Sequence, residues 1–142
     1  MHLADSELPD GLLDRMDALE ERVLFVSQMH RGGKGTLPAG YDKGPLIAEL
    51  LAVYEEAHKL PCTTQVLRFR ARILVVLGLV PRFCRASRGA LAEAKRIFHD
   101  LRRMTGDLIY EENARWCTNL ARLYDYDEAI AALIRNGVLN ND

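Results

Sequence analysis

Ten glycines occur in the chain, and five of them fall in HRGGKGTLPAGYDKG, residues 30–44. Within that stretch, GGKGT has the look of a loop that cradles phosphate. A phosphate loop wraps backbone N–H groups around the anion, brings a Lys to the terminal phosphates and follows it at once with a Ser or Thr for magnesium. Here Lys34 is followed by Gly35, so the hydroxyl of Thr36 arrives one residue late. The motif also needs a buried strand before it and a helix directly after it. The preceding segment instead places Leu12, Met16, Leu19, Val23, Val26 and Met29 at steps of four or three, one face of a helix. The turn-rich TLPAGYDKGP follows. The stretch therefore reads as an interhelical linker, 31–44, long enough to be functional, and no nucleotide or other cofactor is expected.

Other chemistry is sparse. Cys62, Cys84 and Cys117 are odd in number and lie far apart, with no CxxC pair, which suits free thiols in a reducing compartment. Cys62 falls near a predicted helix start, where a thiolate is favoured. His2, His30, His58 and His99 show no metal-ligand spacing. Glu55–Glu56 and Glu111–Glu112 are sequence neighbours, which point in different directions on a helix and do not form acid/base dyads. GxSxG and HExxH are absent. A protein without enzymatic activity is the expectation.

Charge is the feature that stands out. The chain carries a net −1, yet residues 1–60 sum to −5, residues 61–106 to +8 and residues 107–142 to −4. In the basic middle, Lys95, Arg96, His99, Arg102 and Arg103 recur on the helical face opposite Leu91, Ala94, Phe98 and Leu101. Arg82, Arg85 and Arg88 lead into that helix and extend the candidate partner-binding patch. Arginine suits bidentate contact with carboxylate or phosphate. An acidic protein segment is the expected partner, the acidic end of a second copy included. The alternative is RNA or a phosphorylated partner, held by phosphate neutralisation. Against both stands internal balance, with the acidic helices of the same chain occupying these arginines.

The elements that must position this patch are helices. Helix 1 is expected over 11–30, capped by Asp10. Helix 2 begins at Pro45 and presents Leu46, Ile47, Leu50, Leu51, Val53, Tyr54, Ala57 and Leu60. Helix 3 starts after Thr63 or Thr64, with Val66, Phe69, Ile73, Val76, Leu77 and Val80 inward; it is apolar almost all round from 73 to 80, hence central, and Pro81 kinks or ends it. Helix 4 spans 89–105, with Leu91, Ala94, Ile97, Phe98, Leu101 and Met104 inward and Gly106 as its stop. Helix 5 follows the candidate cap Asp107 and buries Leu108, Ala114, Cys117, Leu120, Ala121 and Tyr124. Asp125 and Glu128 have capping-box spacing, so helix 6 is expected over 126–136, closed by Gly137, although 108–136 holds no Gly or Pro and one bent helix would also fit. Nothing alternates with period two. The fold class is all-α, about six helices in antiparallel hairpins, in a single domain over 1–142. Phe69, Ile73, Val76, Leu77, Ile97, Phe98, Leu101 and Leu120 are the expected core, with Trp116 largely packed.

Three tetrapeptides recur: YEEA at 54–57, LAEA at 91–94 and YDEA at 126–129. Their spacing is near the 34-residue period of tetratricopeptide arrays. NLARLYDYDEAIAAL, residues 119–133, resembles a unit of that family, with Leu120, Ala121, Tyr124, Tyr126, Ala129 and Ile130 at its positions. The inter-helix turn is about four residues short of the family pattern, and the small residue and Pro that end a repeat are missing. The resemblance covers 89–136 and implies a helical scaffold that displays a face to a partner segment; a generic helical bundle remains the alternative. In size and composition the chain also looks like the mitochondrial scaffold proteins of kinetoplastid parasites, which would imply a membrane-anchored mitochondrial protein with a partner-binding soluble part.

Composition agrees with a soluble globular protein: 49% apolar and 27% charged residues. The longest apolar run, ILVVLGLV, is too short to span a bilayer. The acidic MHLADSELPD is not a signal or transit peptide. A cytoplasmic location is expected, or a mitochondrial one for a processed chain. The sequence-level reading is a protein–protein interaction scaffold.

Overall fold

The computed structural model describes residues 8–32, 42–80, 85–122 and 125–140, with side chains described over 8–26, 42–80, 89–122 and 125–140. These residues form six helices and no strand: α1 (Asp10–Gly32), α2 (Gly44–His58), α3 (Thr64–Gly78), α4 (Arg85–Thr105), α5 (Ile109–Ala121) and α6 (Tyr126–Arg135). Most of the glycine-rich 31–44 stretch, together with Pro81, Arg82, Cys84 and Tyr124, lies outside the described residues.

Sequence-local signals set most of the boundaries. Thr63 is extended, and its Oγ1 accepts the Val66 N–H at 3.2 Å, a side-chain N-cap for α3. Gly106 and Gly137 adopt φ of +77° and +79° after α4 and α6, a conformation glycine takes without strain. Asp107 Oδ1 accepts the Ile109 N–H at 3.0 Å, as expected of a cap. Other ends differ from the sequence reading. Asp10 is the first helical residue rather than the cap, and Pro9 supplies the carbonyl for the Leu12 and Leu13 N–H groups. Helix α4 begins at Arg85, four residues before position 89. Asp125 makes no side-chain cap: it sits at φ 50°, ψ 47°, and its carbonyl accepts the Ala129 N–H. This left-handed residue lies between α5 and α6, so 108–136 is not one helix.

Packing follows chain order. Each helix packs on the next, with α3–α4 and α4–α5 the most extensive pairs, and α3 also meets α1 and α5. The odd-numbered helices thus form one layer and the even-numbered ones lie against it. Helix α3 is central, as its apolar girth predicts: Val66, Leu67, Phe69, Ala71 and the run Ile73–Leu77 are all buried. At its end Gly78 lies so close to α4 that a Cβ would fall 2.4 Å from Leu91 Cγ. All eight expected core residues are buried, and Trp116 is half-buried, its Nε1–H donating to Glu112. Leu51, Met104, Leu108 and Ala121 were expected inward and are exposed. Leu51 sits at the edge of the α2 apolar face. Met104 and Leu108 flank the α4–α5 turn.

The Glu-Ala pairs of the three recurring tetrapeptides fall on α2, α4 and α6, and Ala57, Ala94 and Ala129 are each fully buried. Glu20 is 1% exposed and joins three parts of the chain. Arg72 Nε donates to Glu20 Oε1 at 2.7 Å, Arg72 Nη2 donates to Asp17 at 2.7 Å, and the Asn140 N–H donates to Glu20 Oε2 at 2.6 Å. The segment after α6 therefore runs from α5, where Asn136 Nδ2 donates to Asn113 at 2.8 Å, across to α1, with Leu139 buried between.

Candidate partner-binding face of α4

Helix α4 has the sidedness its sequence implies. Ala90, Leu91, Ala94, Ile97, Phe98 and Leu101 are buried, while Gly89, Ala92, Arg96, His99 and Arg103 are exposed along the opposite face. Lys95 and Arg102 were expected on that outer face. They stand on its flank and are half-buried, with Arg102 Nε buried and without a hydrogen-bond partner. They lie about a quarter-turn from the stripe centre, at the border between the buried and the exposed face, where long stems cover apolar surface. The backbones of Arg85 and Arg88 belong to α4, but their side chains, like Arg82 altogether, lie outside what is described.

Among the described residues, no ion pair joins a carboxylate of another helix to this face. Arg15 pairs with Glu56, Arg22 with Glu49, and Arg72 with Asp17 and Glu20, so these α1 and α2 carboxylates are held by α1 and α3 arginines. Arg135 approaches Glu112 at 3.9 Å. Glu93, on the other flank of α4, accepts the Tyr54 hydroxyl at 2.6 Å. Among the described residues, only Arg103 of the stripe has an ion-pair partner, Asp100 one turn earlier, and an exposed pair of this kind is worth about 0–1 kcal/mol.

A second polar group lies at the α2–α3 junction. Arg70 Nη2 stands 3.1 Å from His58 Nε2 and 3.5 Å from the Tyr54 hydroxyl, Arg70 Nη1 lies 4.0 Å from Cys62 Sγ, and the guanidinium covers the Tyr54 ring. Burial, then hydrogen bonding to Glu93, raises the Tyr54 phenol above its ordinary value. No periodicity links these residues, and sequence reasoning missed the group. Cys117 is buried in α5, and desolvation pushes its thiol up to about 12, which makes it a packing residue. No group of three or more His, Cys, Asp or Glu suited to a metal occurs among the described residues, and no described helix is long and apolar enough to cross a membrane.

Comparison with protein-family models, curated proteins and solved structures finds no match.

Proposed function

We propose that this chain is a non-enzymatic interaction scaffold that binds an acidic partner segment through the outer face of α4. One observation carries the reading: Arg96, His99 and Arg103 point outward in line, and among the described residues no carboxylate of another helix pairs with them, while Asp17, Glu20, Glu49 and Glu56 are held by arginines elsewhere. The expectation of internal balance required those contacts to fall on α4. A tetratricopeptide-like arrangement is supported by the two-layer order of helices and by the buried alanines of the recurring tetrapeptides.

The test is affinity capture from cell extract with mass spectrometry, comparing wild type with Arg96→Glu/Arg103→Glu. Retained proteins should be lost from the variant, while its melting temperature stays within about 2 °C, since exposed substitutions are usually worth under 0.5 kcal/mol. Unchanged capture would place the binding face elsewhere. Retention of RNA in place of protein, abolished by moderate salt, would move the reading to phosphate recognition.

A further inference from the structure

The outer face of α4 has a counterpart on α1. On α1, Asp14, Ala18, Glu21 and Phe25 are exposed, and they follow one another at steps of four, three and four. On α4, Ala92, Arg96, His99 and Arg103 are exposed and follow the same steps. Each set is a straight stripe about 16 Å long on one side of its helix. Laid antiparallel, the two stripes match in charge and in size: Phe25 falls opposite Ala92, Glu21 opposite Arg96, Ala18 opposite His99 and Asp14 opposite Arg103.

We propose that α1 of one copy docks antiparallel on α4 of a second copy, so that the acidic partner of the basic face is this chain's own first helix. The inference rests on the α4 reading above and names its partner. Phe25 is the most exposed large hydrophobic side chain described, at 64%, and docking would cover it. Asp14, Glu21 and Arg96 have no ion-pair partner among the described residues, and Arg103 has only Asp100 on its own helix. Charges that would oppose docking are held aside: Arg15 and Arg22 lean onto Glu56 and Glu49 of α2, and Glu93 is held by Tyr54. Within one chain the stripes cannot meet, because both face outward while the buried faces of the same helices share the core.

Two different patches meet in this contact, so one copy keeps its α4 patch free and the other its α1 patch, and association continues into chains or closes into a ring. One helix pair buries less than the roughly 1,200–2,000 Å² of stable complexes, so association should be weak and dependent on concentration and salt.

Sedimentation velocity on the full chain tests this. At low salt the mean mass of wild type should rise with concentration, and at about 0.5 M salt it should fall toward the monomer as screening shortens the reach of the charges. Arg96→Glu/Arg103→Glu and Asp14→Lys/Glu21→Lys should each weaken self-association by roughly tenfold or more, since each sets like charges opposite one another at both positions. An equimolar mixture of the two variants should recover it, because each then meets the opposite sign. Phe25→Ser changes no charge and should weaken association several-fold, which keeps the test decisive if a reversal variant fails to fold. A wild type that stays monomeric at all concentrations, reversal variants that associate like wild type, or a mixture that does not recover would each overturn the proposal. The α4 reading fails separately: partner capture that survives Arg96→Glu/Arg103→Glu sinks it, whereas capture lost in that variant by a strictly monomeric wild type sinks only the self-docking.

Discussion

Asn140 donates its backbone N–H to Glu20 Oε2 at 2.6 Å across 120 positions of sequence, tying the end of the described chain to its first helix. The same carboxylate receives Arg72 Nε from α3. One buried acid thus fixes the mutual placement of three segments that would otherwise be linked through intervening helices.

Replacing Glu20 by Ala should therefore cost about 3–5 kcal/mol in urea unfolding, because Arg72 keeps only the half-exposed Asp17 and the Asn140 N–H loses its acceptor. A loss below about 1 kcal/mol would show that the network contributes little.

The pH dependence of Glu20 has a definite sign. Burial raises its carboxyl above the ordinary 4.5, against the opposing pull of Arg72. The folded chain then holds this proton more tightly than the unfolded chain. The resulting stabilisation is full below about 4.5 and is lost as pH rises through the raised folded value. Wild type should thus be most stable relative to Glu20→Gln at low pH, with the difference declining toward neutrality. Denaturant titrations of both proteins from pH 3.5 upward check this, and a difference that grows with pH would contradict it.

Gly78→Ala should destabilise the fold by about 1–3 kcal/mol. Alanine is the better helix former by about 1 kcal/mol, but its Cβ would lie 2.4 Å from Leu91 Cγ and 2.6 Å from Cδ2, so α3 and α4 must separate or Leu91 must leave its place. A rise in melting temperature would show that Leu91 moves freely. Truncating Leu101, which is fully buried, should cost about 2–5 kcal/mol by the cavity it leaves.

Asp125→Gly should be neutral or stabilising by up to about 1 kcal/mol, whereas Asp125→Val should cost about 1–2 kcal/mol or more, because the backbone there is left-handed at φ 50°. Equal melting temperatures for the two variants would mean that the connection relaxes out of this conformation.

In a Cys84→Ser background, two thiols remain with opposite environments: Cys62 is exposed and Cys117 is buried. A thiol reagent at pH 8 should label Cys62 rapidly and Cys117 only on unfolding, since burial holds the Cys117 thiol protonated at about 12. Two fast phases in the native protein would be inconsistent with the α5 packing.

What could be read in advance was what local chemistry decides. Thr63, Gly106 and Asp107 announce helix ends because capping is settled within a few residues. Phe98 and Leu101 announce a buried face because their spacing repeats. Arg96, His99 and Arg103 were legible as an outer stripe for the same reason. Lys95 and Arg102 were misplaced by a quarter-turn, since an apolar pattern marks the centre of a face better than its edges. Glu20 was invisible: it follows Leu19 on the inner side of α1, and its partners Arg72 and Asn140 lie 52 and 120 residues away. Met104 and Leu108 obey the inward spacing yet are exposed, which the pattern does not reveal. The α1 stripe escaped notice because its meaning depends on a surface that only the fold exposes.

The order in which helices pack has a consequence in time. Because each helix rests on its predecessor or on the one before that, nearly every stabilising contact forms between segments close along the chain, and such topologies fold fast. A chain emerging from the ribosome can settle hairpin by hairpin without waiting for distant sequence. The exceptions are the bonds from Asn140 to Glu20 and Asp17, and neither can form until residue 140 is made. A nascent chain stopped short of it would hold α1 by its apolar contacts and its ion pairs to α2 and α3, with the buried Glu20 carboxylate still awaiting its second donor.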